Sequence, residues 1–248
     1  MPFTFAHPAI VLPLKNKYSS KYFSLTGLII GSIFPDFEYF IRMNLQSIYS
    51  HTVLGVFLFN LPLGLIFCFI FHNIIRNELF VNLPYFLRTR LSIYTKFNWN
   101  KYFLKNYIKI IISLLIGSIS HVLWDSFTHV NGYFVKIISS LNYFIIIGDI
   151  SIPIYKILQY SSTVFGCLII FYVIIKLPKI NNLNKISIMY WIVVCLIISI
   201  IFIVKIINGL NYKLYGEIIV TFISATFIAL ILAPMLRRLV AAHGLSGR

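Results

Sequence analysis

Charge is what this chain has least of. Only 11% of its residues are charged, and six of the 248 are Asp or Glu. A soluble domain carries about a quarter charged residues. With 59% hydrophobic residues and a mean hydropathy of +0.89, that shortage excludes an ordinary soluble domain. It implies an all-α, polytopic transmembrane helical bundle. Cysteine is scarce as well. Cys68, Cys167 and Cys195 all lie in apolar runs without CxxC spacing, which excludes a paired-cysteine motif and reads as buried thiols. No internal repeat is visible. Pro2, His7, Pro8 and Pro13 interrupt the first segment and no basic stretch precedes it, which argues against a cleavable signal peptide.

The lack of acids leaves a formal charge of +15, a value that invites a nucleic-acid partner. The positions of the charges speak against one. Lys and Arg gather in the short connections between apolar runs, as the positive-inside rule requires, with no separate phosphate-binding face. No nucleic-acid binding is expected.

A span needs about 20 predominantly apolar residues. Five runs qualify: 52–71, 108–127, 154–175, 187–207 and 215–236. Two shorter segments, 5–14 and 23–35, suit an N-terminal helical hairpin. Residues 133–148 form a further apolar stretch, punctuated by Gly132, Gly148 and Pro153, and suit a re-entrant or interfacial element. The connection 72–109 carries Arg76, Arg88, Arg90, Lys96, Lys101, Lys105 and Lys109 against one acid, Glu78, and should be cytoplasmic. Alternation then puts Lys176, Lys179, Lys185, Arg237 and Arg238 inside, and 47–51, 128–153 and 208–214 outside. The hairpin fits if its turn, with Lys15, Lys17 and Lys21, faces the cytoplasm. This places the chain in the cytoplasmic (inner) membrane as a multi-pass protein. Residues 1–175 read as a membrane-embedded metal-site domain and 176–236 as two additional helices. Residues 237–248, compositionally unlike the rest, read as a cytoplasmic tail or an appended sequence.

Against this background, "SHVLWDSFTH" at 120–129 is out of character. Steps of four residues rotate an α-helix by only about 40°, so His121, Asp125 and His129 form one stripe on adjacent turns. Ionisable groups at membrane depth cost several kcal/mol unless they face the bundle interior and find partners. A divalent cation would partner all three. Imidazole with carboxylate is the ligand set of zinc first, and of manganese or iron at the harder end. "GSIFPDFEYF" adds Asp36 and Glu38, "SHTVLG" adds His51 and "FTFAHPAIVLPL" adds His7, all on the same predicted outer side. Four of six His and three of six acids thus fall at one end of the bundle. The alternative is a satisfied polar network of helix caps and interhelical hydrogen bonds. The candidate ligands are His7, Asp36, His51, His121, Asp125 and His129. Asp36, Glu38 and Asp125 are the candidate catalytic acids; for Glu38 the sequence leaves ligand, base, supporting group and a contact to lipid headgroups open.

Other polar features have plainer readings. Gly27, Gly31, Gly117, Ser118 and Ser120 suit close helix contacts, and Trp99, Trp124 and Trp191 suit anchors at the membrane interface. "LQYSSTVFG" at 158–166 places a polar collar of Gln159, Ser161, Ser162 and Thr163 in one span, able to line a cavity or support ligands.

The words "MPFTFAHPAIVLPL", "SLTGLIIGSIFPDFEYFIR", "HTVLGVFLFNLPLGL", "NLPYFLRTR", "ISLLIGSISHVLWDSFTH" and "LQYSSTVFG" run collinearly over about 1–175. On them the chain resembles a bacterial membrane family known as domain of unknown function 4184. The last two spans carry no comparable motif. The order His, PDx[DE], His, HxxxD is also similar to the membrane-bound metal-dependent hydrolases and, distantly, to zinc-dependent phospholipase C. That resemblance implies metal binding by His7, Asp36, His51, His121 and Asp125, joined by His129. The family's LQHGSS-like motif has a His where this chain has Tyr160.

Three functions are open at this stage. The first is a metal-dependent hydrolase with its site on the extracytoplasmic side, acting on membrane lipid or another small or lipid-linked phosphoester substrate. The second is a metal-ion or proton transporter using the same cluster. A transit path should stay polar to the other face, whereas "GLIFCFIF" and "LIIFYVII" are unbroken apolar runs. The third is a non-catalytic membrane scaffold.

Overall fold

A computed structural model describes residues 3–14, 21–180, 185–211 and 213–245. Lys15 and Lys17, assigned above to a cytoplasmic turn, lie outside the described residues. Apart from its connecting loops, the described chain is helical except for one two-stranded sheet. The helices are α1 (Thr4–Leu14), α2 (Leu25–Ile33), α3 (Phe37–Arg42), α4 (Val53–Asn82), α5 (Tyr85–Leu91), α6 (Trp99–Thr128), α7 (Tyr133–Ile137), α8 (Ile154–Lys176), α9 (Ile188–Ile207) and α10 (Tyr215–Leu245). Five of them, α4, α6, α8, α9 and α10, are long and apolar enough to cross a membrane. The molecule is an all-α polytopic bundle. Cys167 and Cys195 are exposed on the apolar outer faces of α8 and α9, and only Cys68 is buried. The two exposed thiols sit on faces that lipid would cover, which hydropathy alone does not separate from interior.

Helix starts follow local chemistry. Ser24 accepts from the Gly27 amide ahead of α2, and Thr52 accepts from the Gly55 amide at 2.9 Å ahead of α4. Each satisfies an amide that has no partner within its helix. Between α7 and α8, the stretch expected to be re-entrant or interfacial holds an antiparallel hairpin, β1 (Phe144–Ile147) with β2 (Ile150–Pro153). Gly148 opens its two-residue turn with φ +60°, a conformation that glycine adopts without steric cost.

The chain divides into two compact units. One comprises Met1–Phe37, Ile48–Leu65 and Phe103–Lys176. In it, α2 and α6 meet main chain to main chain. A Cβ added to Gly31 would lie 2.3 Å from the Leu114 carbonyl oxygen, and one on Gly117 would lie 2.6 Å from both the Leu28 oxygen and the Ser32 nitrogen. Ser118 Oγ donates across this seam to the Gly31 carbonyl at 3.2 Å, and the Ser24 amide donates to Ser113 Oγ at 2.8 Å. Small residues let two backbones approach this closely. On the other side of the unit, Gly166 of α8 is pressed against the Ala6 carbonyl, and the Phe3 amide donates to Thr163 Oγ1 at 3.1 Å. These contacts fix α1.

The other unit comprises Glu38–Ser47, Ile66–Tyr102 and Leu177–Arg248. Tyr190 and Val194 of α9 pack on Ala229 and Ala233 of α10. Trp191 Nε1 donates to the Asn82 carbonyl at 2.7 Å, and Arg237 pairs with Glu78 at 2.7 Å. Trp99, expected as an interface anchor, is buried and stacks on His72 with ring centroids 4.4 Å apart.

Candidate metal centre

The first unit brings six of the predicted residues to one place. His121 and Asp125 come one turn apart on α6, with His129 just past its end. Asp36 follows α2, His51 immediately precedes the cap of α4, and His7 lies in α1. Asp36 and His121 are fully buried, and His7 and Asp125 nearly so. His51 Nε2 and His121 Nε2 each face both carboxylates. His121 lies 3.4 Å from Asp36 Oδ1 and 3.3 Å from Asp125 Oδ2. His51 lies 3.6 Å and 3.5 Å from the same two oxygens.

These spacings suit a shared cation. An N–H···O hydrogen bond spans about 2.7–3.2 Å, so all four pairs are too long for good ones. Ligands about 2.0–2.2 Å from a tetrahedral ion are separated from one another by about 3.3–3.6 Å, which is the range observed. All four donor atoms lie within 4.8 Å of one another, and the His2Asp2 group can hold a metal ion.

The surrounding hydrogen bonds aim these atoms inward. His121 Nδ1 bonds the Ser32 carbonyl at 2.7 Å, which leaves the Nε2 lone pair to face the carboxylates. The glycine seam delivers that carbonyl. Ser50 Oγ lies 3.1 Å from His51 Nδ1, and Asn60 Nδ2 donates to the Ser50 carbonyl at 2.8 Å. Asn60 is buried in a π-helical turn of α4, a local widening common at functional sites. Thr4 Oγ1 donates to Asp36 Oδ2 at 2.5 Å. Meanwhile Asp36 Oδ1, Asp125 Oδ1, His121 Nε2 and both ring nitrogens of His7 make no hydrogen bond, although all are buried. Unsatisfied buried polar atoms cost roughly 1–3 kcal/mol each, and here they converge on one another. Burial opposes ionisation of Asp36, but the imidazoles of His121 and His51 outweigh it and hold the carboxyl well below the ordinary carboxylate range. For His51 burial opposes protonation, yet the Asp125 and Asp36 carboxylates prevail and raise its pKa.

His7 Nε2 and His129 Nδ1 face the other oxygen of Asp125, Oδ1, at 3.5 Å and 3.6 Å. Glu38 is turned to other work: Arg42 Nε donates to its Oε1 at 2.9 Å and Ser47 Oγ to its Oε2 at 3.2 Å. Sequence reasoning missed Thr4, Ser32, Ser50 and Asn60, whose roles depend on tertiary approach and leave no pattern in the chain. Of the polar collar, Thr163 holds the N-terminal segment, while Ser161 and Ser162 bond carbonyls of their own helix. Those two serines line a cavity of about 290 Å³ with His7, Ile10, Trp124 and Phe165. Tyr160, at the variant motif position, is exposed.

A family model described as a domain of unknown function, DUF4184, matches residues 1–235. The chain belongs to this family. The DUF4184 match runs beyond residue 175, where the motif likeness ended, and takes in α9 and most of α10. The last two spans are therefore part of the family pattern, although their hydrophobicity carries no quotable motif. No curated protein and no solved structure matches the chain.

Proposed function

We propose that this DUF4184 protein is a metal-dependent hydrolase of the bacterial cytoplasmic membrane, with its centre on the extracytoplasmic side and a lipid or lipid-linked phosphoester as substrate. The observation that carries the reading is the tetrahedral-edge spacing of four donors, three of them buried, brought together from three separate chain segments. His51, His121, Asp36 and Asp125 would hold the cation, and two imidazoles with two carboxylates suit zinc, with manganese or iron at the harder end. A bound divalent cation lowers the pKa of water towards about 7 and polarises a phosphoryl oxygen. Around it, Ser32 and Ser50 orient the imidazoles and Thr4 orients Asp36. One of Asp36, Asp125 and Glu38 would accept the proton of the attacking water. Glu38 is held by Arg42 and Ser47.

The orientation is supported by the two helices that carry most of the site. His51 precedes α4 and His121 to His129 close α6, whereas Arg76 of α4 and Lys101, Lys105 and Lys109 of α6 lie towards the opposite ends of the same helices, with Arg88, Arg90 and Lys96 in the connection between them. A lipid-linked substrate is supported by the apolar cavity beside His7. It is bordered by α8, a membrane-crossing helix, and could take a hydrocarbon chain.

One observation favours a second reading. Four protein donors fill a tetrahedron, which is the pattern of a structural ion in a scaffold. Metal analysis of detergent-purified protein, followed by turnover of phosphoester-headgroup lipids in vesicles, separates the two. Stoichiometric metal with turnover that is lost in His121→Ala supports the hydrolase. Stoichiometric metal without turnover supports the scaffold. Metal-free protein in metal-replete buffer removes both.

A further inference from the structure

We propose that the centre takes two divalent cations rather than one, with the carboxylate of Asp125 bridging them. The second position is formed by His7, His129 and Asp125 Oδ1. The proposal rests on the metal reading above and gives that centre the open coordination position it otherwise lacks.

The two oxygens of Asp125 face separate sets of imidazoles. Oδ2 faces His51 and His121 at 3.5 Å and 3.3 Å, and Oδ1 faces His7 and His129 at 3.5 Å and 3.6 Å. The second pair of distances again falls in the range of about 3.3–3.6 Å set by ligands around one tetrahedral ion. A single ion on the Oδ2 side leaves Asp125 Oδ1 and His7 Nε2 buried without a hydrogen bond. An ion on the Oδ1 side satisfies both.

The geometry of the rings gives an independent measure. The imidazoles of His7 and His121 stack with centroids 3.7 Å apart and planes 16° from parallel. Each presents Nε2 to its own oxygen of the same carboxylate. Parallel ligands aimed the same way set their ions apart by roughly the ring separation. Paired catalytic metals sit about 3.5–4 Å apart.

The two positions differ in kind. Asp36, His51, His121 and Asp125 close the first. The second has three protein donors, the number that leaves a tetrahedral ion one position for water or substrate. His7 also lines the 290 Å³ cavity, so the open position and the apolar cavity share a wall. Two cations clamping one phosphoryl group is an arrangement that favours a phosphoester over an amide. His129 Nδ1 also lies 3.0 Å from the Asp125 carbonyl oxygen, a contact it exchanges for the ion on binding.

The test counts ions in the intact detergent-purified chain by mass spectrometry after equilibration with zinc, and records the electron paramagnetic resonance spectrum after loading with manganese(II). Two zinc ions per chain are expected, falling to one in His7→Ala and in His129→Ala, with an exchange-coupled manganese pair in the wild type and an isolated ion in either variant. Because His129 is partly exposed, metal-free His129→Ala should keep the melting profile of the metal-free wild type, which guards against loss through misfolding. One zinc ion in the wild type, unchanged by either substitution, overturns the second position and leaves the single-metal reading standing. No bound zinc in the wild type overturns both.

Discussion

Thr4→Val is the most informative single change, because it removes one hydroxyl and leaves every candidate ligand in place. Thr4 Oγ1 donates to Asp36 Oδ2 at 2.5 Å and both residues are buried, so no water replaces the lost donor. A hydrogen bond to a charged group contributes roughly 1.5–3 kcal/mol. Removing a partner that orients a metal ligand typically lowers affinity by about 10–100-fold, equivalent to about 1.4–2.8 kcal/mol. The two ranges overlap. The expected result is a zinc dissociation constant raised about 10–100-fold, measured by competition with a chromophoric chelator in detergent at fixed pH. Thr4→Ser, which keeps the hydroxyl, should stay near the wild type. Unchanged zinc affinity in a folded Thr4→Val protein would refute the idea that Asp36 binds the ion in an orientation set by Thr4.

Gly31→Val should lower stability by at least the roughly 1–3 kcal/mol typical of overpacking, because its Cβ would meet the Leu114 carbonyl at 2.3 Å. Thermal melting should show the drop and metal analysis a parallel loss of bound ion. Glu38→Gln should leave metal content unchanged while weakening the contact to Arg42, and a lost ion would show Glu38 to be a ligand after all. Trp191→Phe should cost about 1 kcal/mol through its bond to the Asn82 carbonyl, with metal binding untouched, as read by melting and by chelator titration. Protons and cation compete for His51, whose pKa is raised above 6.5 by its carboxylate neighbours. Metal affinity should therefore be full above that raised value and begin to fall while the pH is still above 6.5. A titration that stays flat down to pH 5 would contradict this.

The spans were legible because hydropathy averages over 20 residues and tolerates local error. The start of α6 was not. Lys101, Lys105 and Lys109 lie in the helix, so it begins at Trp99 rather than at the apolar residue 108. Candidate ligands were legible because imidazoles and carboxylates are rare in this chain and His121, Asp125 and His129 share a helical face. Their supports were not. Nothing about Ser32 distinguishes a carbonyl that meets an imidazole from any other, since that contact is made by the approach of α2 to α6. The pairing of Glu38 with Arg42 one turn later on α3 was likewise not singled out by the sequence, where its spacing from Asp36 drew the attention. The hairpin of 144–153 was hidden by its own apolarity, which matches a membrane element as well as a strand.

The contact of α2 with α6 also acts as a gauge of axial position. With peptide groups touching and no side chain between to give, a slip of one residue would displace α2 by about 1.5 Å. That is enough to strip the 2.7 Å bond from His121 and let its ring swing. Any force that slides these two rods, whether from a thinner bilayer or a neighbouring protein, would therefore first be felt as a misaligned imidazole.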